Sequence, residues 1–541
     1  MVTENPLMKE GYADSSKDAD GVDVDPKHSS IQVKGSLQDA GSFENGASVT
    51  IEDEKWPGVV SSWRDVDEEV VMHIPPGVDS RGSFFQYVRY FMPGWLVAIA
   101  YVDPGNFQAD LQAGAVSGYS LNWTILWTQL LSWYVQYMCV KLQHYTNTNL
   151  AEAMAQQYPK YIRWMFWVIA EVSIILTDLP EVIGFAIAIN LFNPSVPLWA
   201  GVLLSFLTTM VFLATLAKGS YFIELVACGL VLVMSIVLFV EWGSSNTDTV
   251  AFLKGAFLPI GKMPPGSVQS AIQIIGAVVM PHNLYLHSGA LVTRRCPPKE
   301  SYKRQAVKLG LWDPFVPILS TTVVNWCIAT LAAIYVYGNP NVDPDQSLGI
   351  FSFPDYLEVP GAKVLWGVAL IAAAQSSCIT TTYSGQFVMD GFLNIKLPKW
   401  LRAVLTRVVA VLPCVAVAVA LDATSMETMI DVVNSSLAFL LPFALIPLVK
   451  LTTSKKYMGK FASGRVEAIL IWIVTFACFG INFYTLVAPG GDYFGKYTSA
   501  MTVVGVQMNI IQDLVCAFYI ACCVYMSFAP VKGTPLGISE D

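Results

Sequence analysis

Charged residues are scarce in this sequence. Asp, Glu, Lys and Arg together make up 13% of its 541 residues, whereas hydrophobic residues make up 54%. Soluble globular domains contain about 25% charged residues, so most of this chain is predicted to lie in lipid. The composition predicts an all-α polytopic membrane protein, and we expect neither a nucleic-acid partner nor an enzymatic activity.

Cysteine pairs with metal-site spacing are absent. The ten cysteines contain no CxxC pair and lie mostly in apolar runs, as the adjacent Cys522 and Cys523 do. We therefore interpret them as small packing residues rather than as a disulfide framework or a zinc site.

The sequence also lacks the basic and short apolar segments of a cleavable signal peptide. Residues 1–81 carry 17 Asp and Glu against 7 Lys and Arg, a net charge of −10, whereas the whole chain carries −9. This segment has no apolar periodicity, so it cannot bury enough surface to offset the entropy of ordering. We predict a disordered acidic cytosolic tail over residues 1–84 and expect the first span to direct insertion.

Twelve stretches are long and apolar enough to cross a bilayer, which takes about 20 residues. Loops rich in Lys and Arg, such as "TRRCPPKESYKRQAVK", follow spans 6, 8 and 10. Such loops stay in the cytosol, so both termini are predicted to be cytosolic. The spans cover approximately residues 88–116, 122–146, 162–192, 197–216, 220–241, 267–292, 309–337, 362–392, 400–421, 427–450, 465–488 and 501–527.

Two of these spans are interrupted. Span 1 contains Asp103-Pro104-Gly105-Asn106, and span 6 contains Met280-Pro281-His282 within "GAVVMPHNLYLH". Each proline removes a backbone donor, so both helices should unwind there. A single such proline is more often a kink, but breaks in spans 1 and 6 are typical of two inverted five-span repeats with a midplane site between them. The predicted repeats cover residues 85–242 and 263–452, followed by two further spans over 463–528 and a cytosolic tail over 529–541.

The residues at the two breaks indicate a cation site. An ionisable side chain at the bilayer centre is costly unless it has a partner, and Asp103 lies beside freed carbonyls, of which Ala100 and Ala277 are the natural candidates. Asp103 and Asn106 offer hard oxygen ligands, whereas the Met280 thioether is soft. This mixture favours Mn2+, Fe2+ and neighbours such as Co2+ or Cd2+, although Met280 and His282 taken alone could be ordinary buried residues.

Span 3 places Glu171, Asp178 and Glu181 on one helical face. Such a stripe is either a structural ion-pair network or a proton relay, and we favour the relay. His282 could take part in it. Arg402 and Arg407 at the start of span 9 are possible basic partners. Five other acidic residues of the spans lie nearer span ends, and we assign no function to them: Glu224, Asp313, Asp390, Asp431 and Asp513.

Six sequence segments resemble the signatures of the Nramp family of divalent-metal transporters. They are "DPGN", "TDLPEVIGFAIAIN", "PLWAGVL", "MPHNLYLHS", "QSSCITTTYSGQFVMDGFLN" and "LPFALIPL", and the resemblance covers roughly residues 85–450. Gln108, Ala403 and Leu440 depart from residues that are common in the family at those positions.

The resemblance implies a LeuT-like fold and proton-coupled import of Mn2+ or Fe2+ into the cytosol, possible further cargoes being Co2+, Cd2+ and Zn2+. It implies metal ligation by the side chains of Asp103, Asn106 and Met280 and the carbonyls of Ala100 and Ala277. The implied proton route comprises Asp103, His282, Glu171, Asp178 and Glu181, to which we add Arg402, and His287 matches a second histidine of the family motif.

Two alternative functions stay open at this stage. One is an organic-solute carrier, such as an amino-acid carrier, on the same scaffold, although a fixed Asp103 would repel a substrate carboxylate. The other is a metal-sensing membrane protein that keeps the fold without transport. We expect no permanently bound cofactor, a functional monomer, and residence in the plasma membrane or an endosomal or vacuolar membrane.

Overall fold

The computed structural model describes residues 92–214, 220–259, 263–294, 300–339, 348–357, 361–394, 399–420, 423–487 and 505–533. The predicted tail over residues 1–84 and most of the predicted C-terminal tail lie outside these residues. The part of the chain that is described is helical and contains no β-strand.

The helices follow one another along the chain, several of them interrupted. Short 3-10 helices cover Ile99–Val102, Leu291–Thr293, Phe353–Asp355 and Gly459–Phe461. The α-helices are α1 (Met92–Ala98), α2 (Pro104–Ser117), α3 (Asn122–Thr146), α4 (Leu150–Gln157), α5 (Lys160–Phe192), α6 (Leu198–Ala214), α7 (Ser220–Gly243), α8 (Thr249–Phe257), α9 (Ser267–Val278), α10 (Pro281–Ala290), α11 (Glu300–Trp312), α12 (Phe315–Tyr335), α13 (Ala362–Leu393), α14 (Lys399–Ala420), α15 (Ala423–Leu440), α16 (Pro442–Thr453), α17 (Lys455–Met458), α18 (Arg465–Val487) and α19 (Gly505–Phe528).

A helix or an interrupted pair of helices lies in each of the twelve predicted spans. Span 1 is divided into α1 and α2, and span 6 into α9 and α10, as the two prolines predict. Span 10, which we predicted as continuous, is divided into α15 and α16 because Pro442 has no N–H to continue the helix. Leu441 keeps a helical backbone there, so this interruption changes the course of the helix less than the other two.

Length and hydropathy alone identify four spanning helices among the described residues: Lys160–Phe192, Lys303–Tyr335, Ala362–Leu393 and Ser425–Thr453. The two broken spans are not among them, because α2 has only 14 residues and α9 only 12. A continuous span needs about 20 residues, so the breaks explain why a length criterion omits spans 1 and 6.

Close helix packing brings the two breaks together. Helix α9 packs against α2 and α15, and α5 packs against α13, α15 and α2. A Cβ added at Gly276 in α9 would lie 1.8 Å from the carbonyl oxygen of Asn434 in α15, and one at Gly184 in α5 would lie 2.5 Å from Pro104. Any larger residue at either glycine would push these helices apart and disturb the breaks.

Candidate metal site

The break in span 1 is shaped by an aspartate followed by a proline. Asp103 has an extended backbone, with φ −83° and ψ 168°, and Pro104 occupies the first position of α2. The Asp103 Oδ1 atom accepts a hydrogen bond of 2.7 Å from the backbone N–H of Asn106. Asp and Pro are favoured at these two helix positions, so the local sequence fixes the carboxylate at the start of the helix.

The break in span 6 also contains a residue with an extended backbone followed by a proline. Helix α9 ends at Val278, Met280 is extended with φ −79° and ψ 136°, and Pro281 begins α10. In a continuous helix, each carbonyl accepts from the N–H four residues later. For Ala100 and Ala277 that residue is Pro104 or Pro281, which has no N–H. Both carbonyls are therefore available to other partners.

Four of the predicted ligands converge on one point. The Asn106 Nδ2 atom lies 3.0 Å from the Asp103 Oδ1 atom, 3.3 Å from the Ala100 oxygen and 3.0 Å from the Ala277 oxygen. Ala277 is 171 residues from Asn106 in sequence, so the contact joins the two breaks. Asp103 is fully buried, and Asn106 is 1% exposed.

The donor set suits a divalent cation. The amide hydrogens of Asn106 point at three oxygens, while Asn106 Oδ1 and Asp103 Oδ2 have no hydrogen-bond partner. The oxygen and nitrogen of an amide are assigned from their surroundings, and turning this amide would place a fourth oxygen among the three. Four oxygens facing one another repel unless a cation lies between them. The arrangement therefore offers a hard-cation site with one net negative charge.

Met280 lies at the break itself, one residue before Pro281, and is 1% exposed. Its thioether remains a predicted ligand. Among the described residues, no three His, Cys, Asp or Glu side chains group as a metal cluster. The predicted donor set contains one carboxylate and takes its other ligands from an amide, backbone carbonyls and a thioether.

A second buried cluster surrounds Arg407 in α14. Its Nη1 atom lies 3.2 Å from Asp178 Oδ1 and 3.6 Å from Glu181 Oε2, and all three side chains are at most 3% exposed. Ser377 Oγ donates to Glu181 over 2.5 Å, and Thr381 Oγ1 does so over 3.3 Å. Two of the three acidic residues on the predicted face of span 3, Asp178 and Glu181, thus form an ion-pair network with an arginine from span 9.

Comparison with known proteins decides the family. The model of the family described as "Natural resistance-associated macrophage protein-like" matches residues 94–488. The chain belongs to the Nramp family.

Relatives and solved structures agree with this assignment. The chain is 33% identical to "Metal transporter Nramp4" of Arabidopsis thaliana, over 84% of this chain and 90% of that protein. It is 37% identical to "Metal transporter Nramp6" of the same plant, over 76% and 79%. The crystal structure of a mutant manganese transporter of Eremococcus coleocola superposes with a TM-score of 0.75 at 27% identity, over 84% of this chain and 96% of that one. This Nramp protein has the LeuT-like fold with two inverted five-helix repeats.

His282 of this Nramp protein contacts helix α5. It is fully buried, it follows Met280 by two residues, and its Nδ1 atom is 3.2 Å from Thr177 Oγ1. Thr177 precedes Asp178 in α5. The part of His282 in a proton route stays a prediction.

The other predicted proton-route residues have different surroundings. Glu171 is half-buried and accepts a hydrogen bond of 3.0 Å from Trp167, one turn earlier on α5. The side chain of Arg402 lies outside the described residues. Arg407, which the sequence offered as an equal candidate, is the arginine that pairs with Asp178 and Glu181.

Three further contacts were not expected from the sequence. His287 is fully buried, with Nδ1 2.9 Å from Gln136 Oε1 and Nε2 3.5 Å from Asp313 Oδ2. Asn434 donates from Nδ2 to the Gly105 carbonyl over 2.9 Å, directly at the span 1 break. The sequence predicts no function for Asp313 or Asn434, although an amide side chain in the middle of an apolar span is a signal that identifies Asn434.

Proposed function

We propose that this Nramp protein is a proton-coupled secondary transporter that imports divalent transition-metal ions into the cytosol by alternating access. The observation that carries the proposal is the convergence of Asp103, Asn106 and the carbonyls of Ala100 and Ala277 at two helix breaks. Such a site binds a dehydrated cation at the junction of two repeats, and relative movement of the repeats can expose it to either side.

The proposed cargo is Mn2+ or Fe2+, with Co2+, Cd2+ and Zn2+ as further candidates. Oxygen ligands alone would also accept Mg2+ or Ca2+, whereas a thioether from Met280 favours softer transition metals. The name of the Eremococcus coleocola protein, a manganese transporter, supports this choice. Metal and protons are cargo in this proposal, and the protein holds no permanent cofactor.

Proton coupling is proposed from the position of Asp103. The same carboxylate that ligates the cation must lose a proton to do so. His282, two residues after Met280, contacts Thr177, the residue before Asp178. Asp178, Glu181 and Arg407 then extend a buried polar path along α5 and α14. In this proposal, the proton that Asp103 loses when the metal binds leaves along this path to the cytosol, so that an inward proton gradient drives uptake.

All proposed ligands come from one chain, which supports a functional monomer. The test is Mn2+ uptake into proteoliposomes that contain a metal-sensitive dye, with and without an inward proton gradient. We expect Mn2+ influx that the gradient accelerates. Absence of influx by folded protein would refute transport, and Mn2+ binding without flux would indicate a metal sensor instead.

Asp103→Asn should abolish gradient-driven uptake, because it removes both the charge and the proton acceptor of the site. Asp110→Asn is a matched control, because Asp110 is also a buried aspartate of the same broken span and lies outside the ligand set. Equal loss of uptake in the two variants would contradict the special role of Asp103.

A further inference from the structure

A short helix lies in the connection between the two predicted repeats. Helix α8 (Thr249–Phe257) follows α7 after a short turn and precedes α9. The Lys and Arg distribution predicts that this connection is external. It lies outside all twelve predicted spans, yet the sequence of α8, TVAFLKGAF, contains a single charged residue, Lys254. Its composition therefore resembles that of a span rather than that of an exposed loop.

Helix α8 is held in a fixed orientation at the end of α7. Asp248 is the N-cap residue, and its Oδ1 atom accepts hydrogen bonds of 3.1 Å from the backbone N–H groups of Val250 and Ala251. Aspartate is favoured at this position. Trp242 of α7 donates from Nε1 to Thr247 Oγ1 over 3.0 Å. These local contacts start the helix and fix the turn that precedes it.

One face of α8 is buried against the bundle. Phe252 and Gly255 lie on this face, and a Cβ added at Gly255 would lie 2.1 Å from the carbonyl oxygen of Tyr119. The Phe252 ring meets the rings of Trp242 and Trp326 edge to face, with centroids 5.5 Å and 5.7 Å away. These close contacts fix the rotation of the helix about its axis, so its opposite face points away from the protein.

The aromatic contacts place α8 beside the bundle rather than above it. Trp326 is a residue of α12, which continues toward the predicted external side as far as Tyr335. At a rise of about 1.5 Å per residue, Trp326 lies about 13 Å below that end of the helix. Phe257 at the end of α8 also contacts Trp326, with ring centroids 5.8 Å apart. Both phenylalanines of α8 therefore reach the level of a residue well inside predicted span 7.

The outward face of α8 carries exposed apolar side chains. Val250, Leu253 and Phe257 are 62%, 47% and 55% exposed, and their spacing places them on one side of the helix. We call these three residues the outer apolar stripe. Ile236 and Val240 in the preceding span, α7, are exposed to a similar extent, 54% and 53%. The stripe is thus as exposed as side chains that face lipid in a membrane span, and it follows them closely along the chain.

Lys254 marks the polar border of this face. It is exposed, and it follows Leu253 by one position, which turns its side chain by about 100° around the helix axis. An interfacial helix has this arrangement, with its apolar face in the acyl chains and its basic side chains at the headgroups. An exposed apolar surface with a polar rim marks either a membrane contact or a protein partner. The depth of α8 and the continuity of the stripe with α7 favour the membrane.

We infer that α8 is an interfacial helix of the outer leaflet, which inserts the outer apolar stripe among the acyl chains of phospholipids and holds Lys254 at their phosphate groups. The connection between the two repeats is then attached to the membrane surface. The following helix, α9, carries Ala277 of the candidate metal site, so the attachment lies directly before one half of that site. The inference does not depend on which ion the protein carries, because it concerns a surface outside the site.

The test introduces the photoreactive amino acid p-benzoylphenylalanine at position 253 or 257 of the full-length protein. The protein is reconstituted in vesicles of phosphatidylcholine and phosphatidylglycerol and irradiated, and mass spectrometry identifies the crosslinked species. Position 236 on α7 is the lipid-facing control. Position 355 is the aqueous control, because Asp355 forms an exposed ion pair with Lys363 on the predicted external side. We expect phospholipid adducts at positions 253 and 257 in yields comparable to that at position 236, and almost none at position 355.

A charge in the stripe provides a second variant with a matched control. Leu253→Asp or Lys254→Gln is combined with the photoreactive residue at position 257. A carboxylate among acyl chains is costly, so Leu253→Asp should remove most of the phospholipid adduct at position 257. Lys254→Gln leaves the stripe intact and should keep that adduct.

Two results would overturn the inference. One is a yield of phospholipid adducts at positions 253 and 257 that is no higher than at position 355. The other is a crosslink to a second copy of the chain in place of lipid. Neither measurement requires transport, so absence of Mn2+ uptake would refute the proposed function alone.

Discussion

Replacing Pro281 with alanine restores a backbone N–H four residues after Ala277, and it should weaken cation binding. The restored N–H can bond to the Ala277 carbonyl, which now contacts Asn106 across the two breaks. The restored hydrogen bond alone contributes about 0.5 to 1.5 kcal/mol, and relief of the whole disruption by proline, which includes this bond, contributes up to about 3 kcal/mol. Mn2+ binding must break this restored hydrogen bond to the Ala277 carbonyl, so the Mn2+ affinity should fall between about 2-fold and 150-fold.

Isothermal titration calorimetry, with Mn2+ titrated into the purified protein, measures this change in affinity. Pro447→Ala is the matched control, because Pro447 lies inside α16, away from the breaks in spans 1 and 6. Mn2+ binding by the Pro281→Ala protein as tight as that of the control would show that the Ala277 carbonyl is not a ligand, and the reasoning from freed carbonyls would fail.

Three further predictions concern selectivity and stability. Met280→Ala should reduce the ratio of Mn2+ to Ca2+ uptake in proteoliposomes while leaving some Mn2+ uptake, and an unchanged ratio would refute ligation by the thioether. Arg407→Ala should destabilise the protein by about 3 to 5 kcal/mol, because it leaves two buried carboxylates without their cation. Lys363→Ala removes only an exposed ion pair, and it should lower the free energy of unfolding by at most about 1 kcal/mol. Thermal unfolding of the Arg407→Ala and Lys363→Ala proteins in detergent tests this difference. Hydrogen bonds from Lys460 and Arg304 lower the pKa of the half-buried Glu300. Glu300→Gln should therefore slightly lower the unfolding temperature at neutral pH, and this difference should vanish as the pH falls through that lowered pKa.

The sequence was sufficient to predict the elements that depend on local chemistry. Pro104 and Pro281 act on their own helices, so the two breaks and the freed Ala100 and Ala277 carbonyls could be predicted. Asp103 could be singled out because a carboxylate in an apolar span needs a partner. The structure brings these oxygens together with Asn106. The contact between Asn106 and the Ala277 oxygen joins residues 171 positions apart, so it depends on tertiary packing.

The remaining features depend on which helix faces which. Helical periodicity placed Asp178 and Glu181 on one face of α5, but it could not decide that Arg407 faces them. The pairing of His287 in α10 with Asp313, in the turn between α11 and α12, likewise depends on tertiary packing.

The central claim is that the two breaks form one cation site, and anomalous diffraction from crystals grown with Mn2+ tests it most directly. We expect a single strong anomalous peak within coordination distance, about 2.0 to 2.6 Å, of oxygens of Asp103, Asn106, Ala100 and Ala277. The Asn106 amide should be turned so that Oδ1 faces the metal. A Mn2+ peak bound elsewhere, with the Asn106 amide nitrogen still among the three oxygens, would contradict the account.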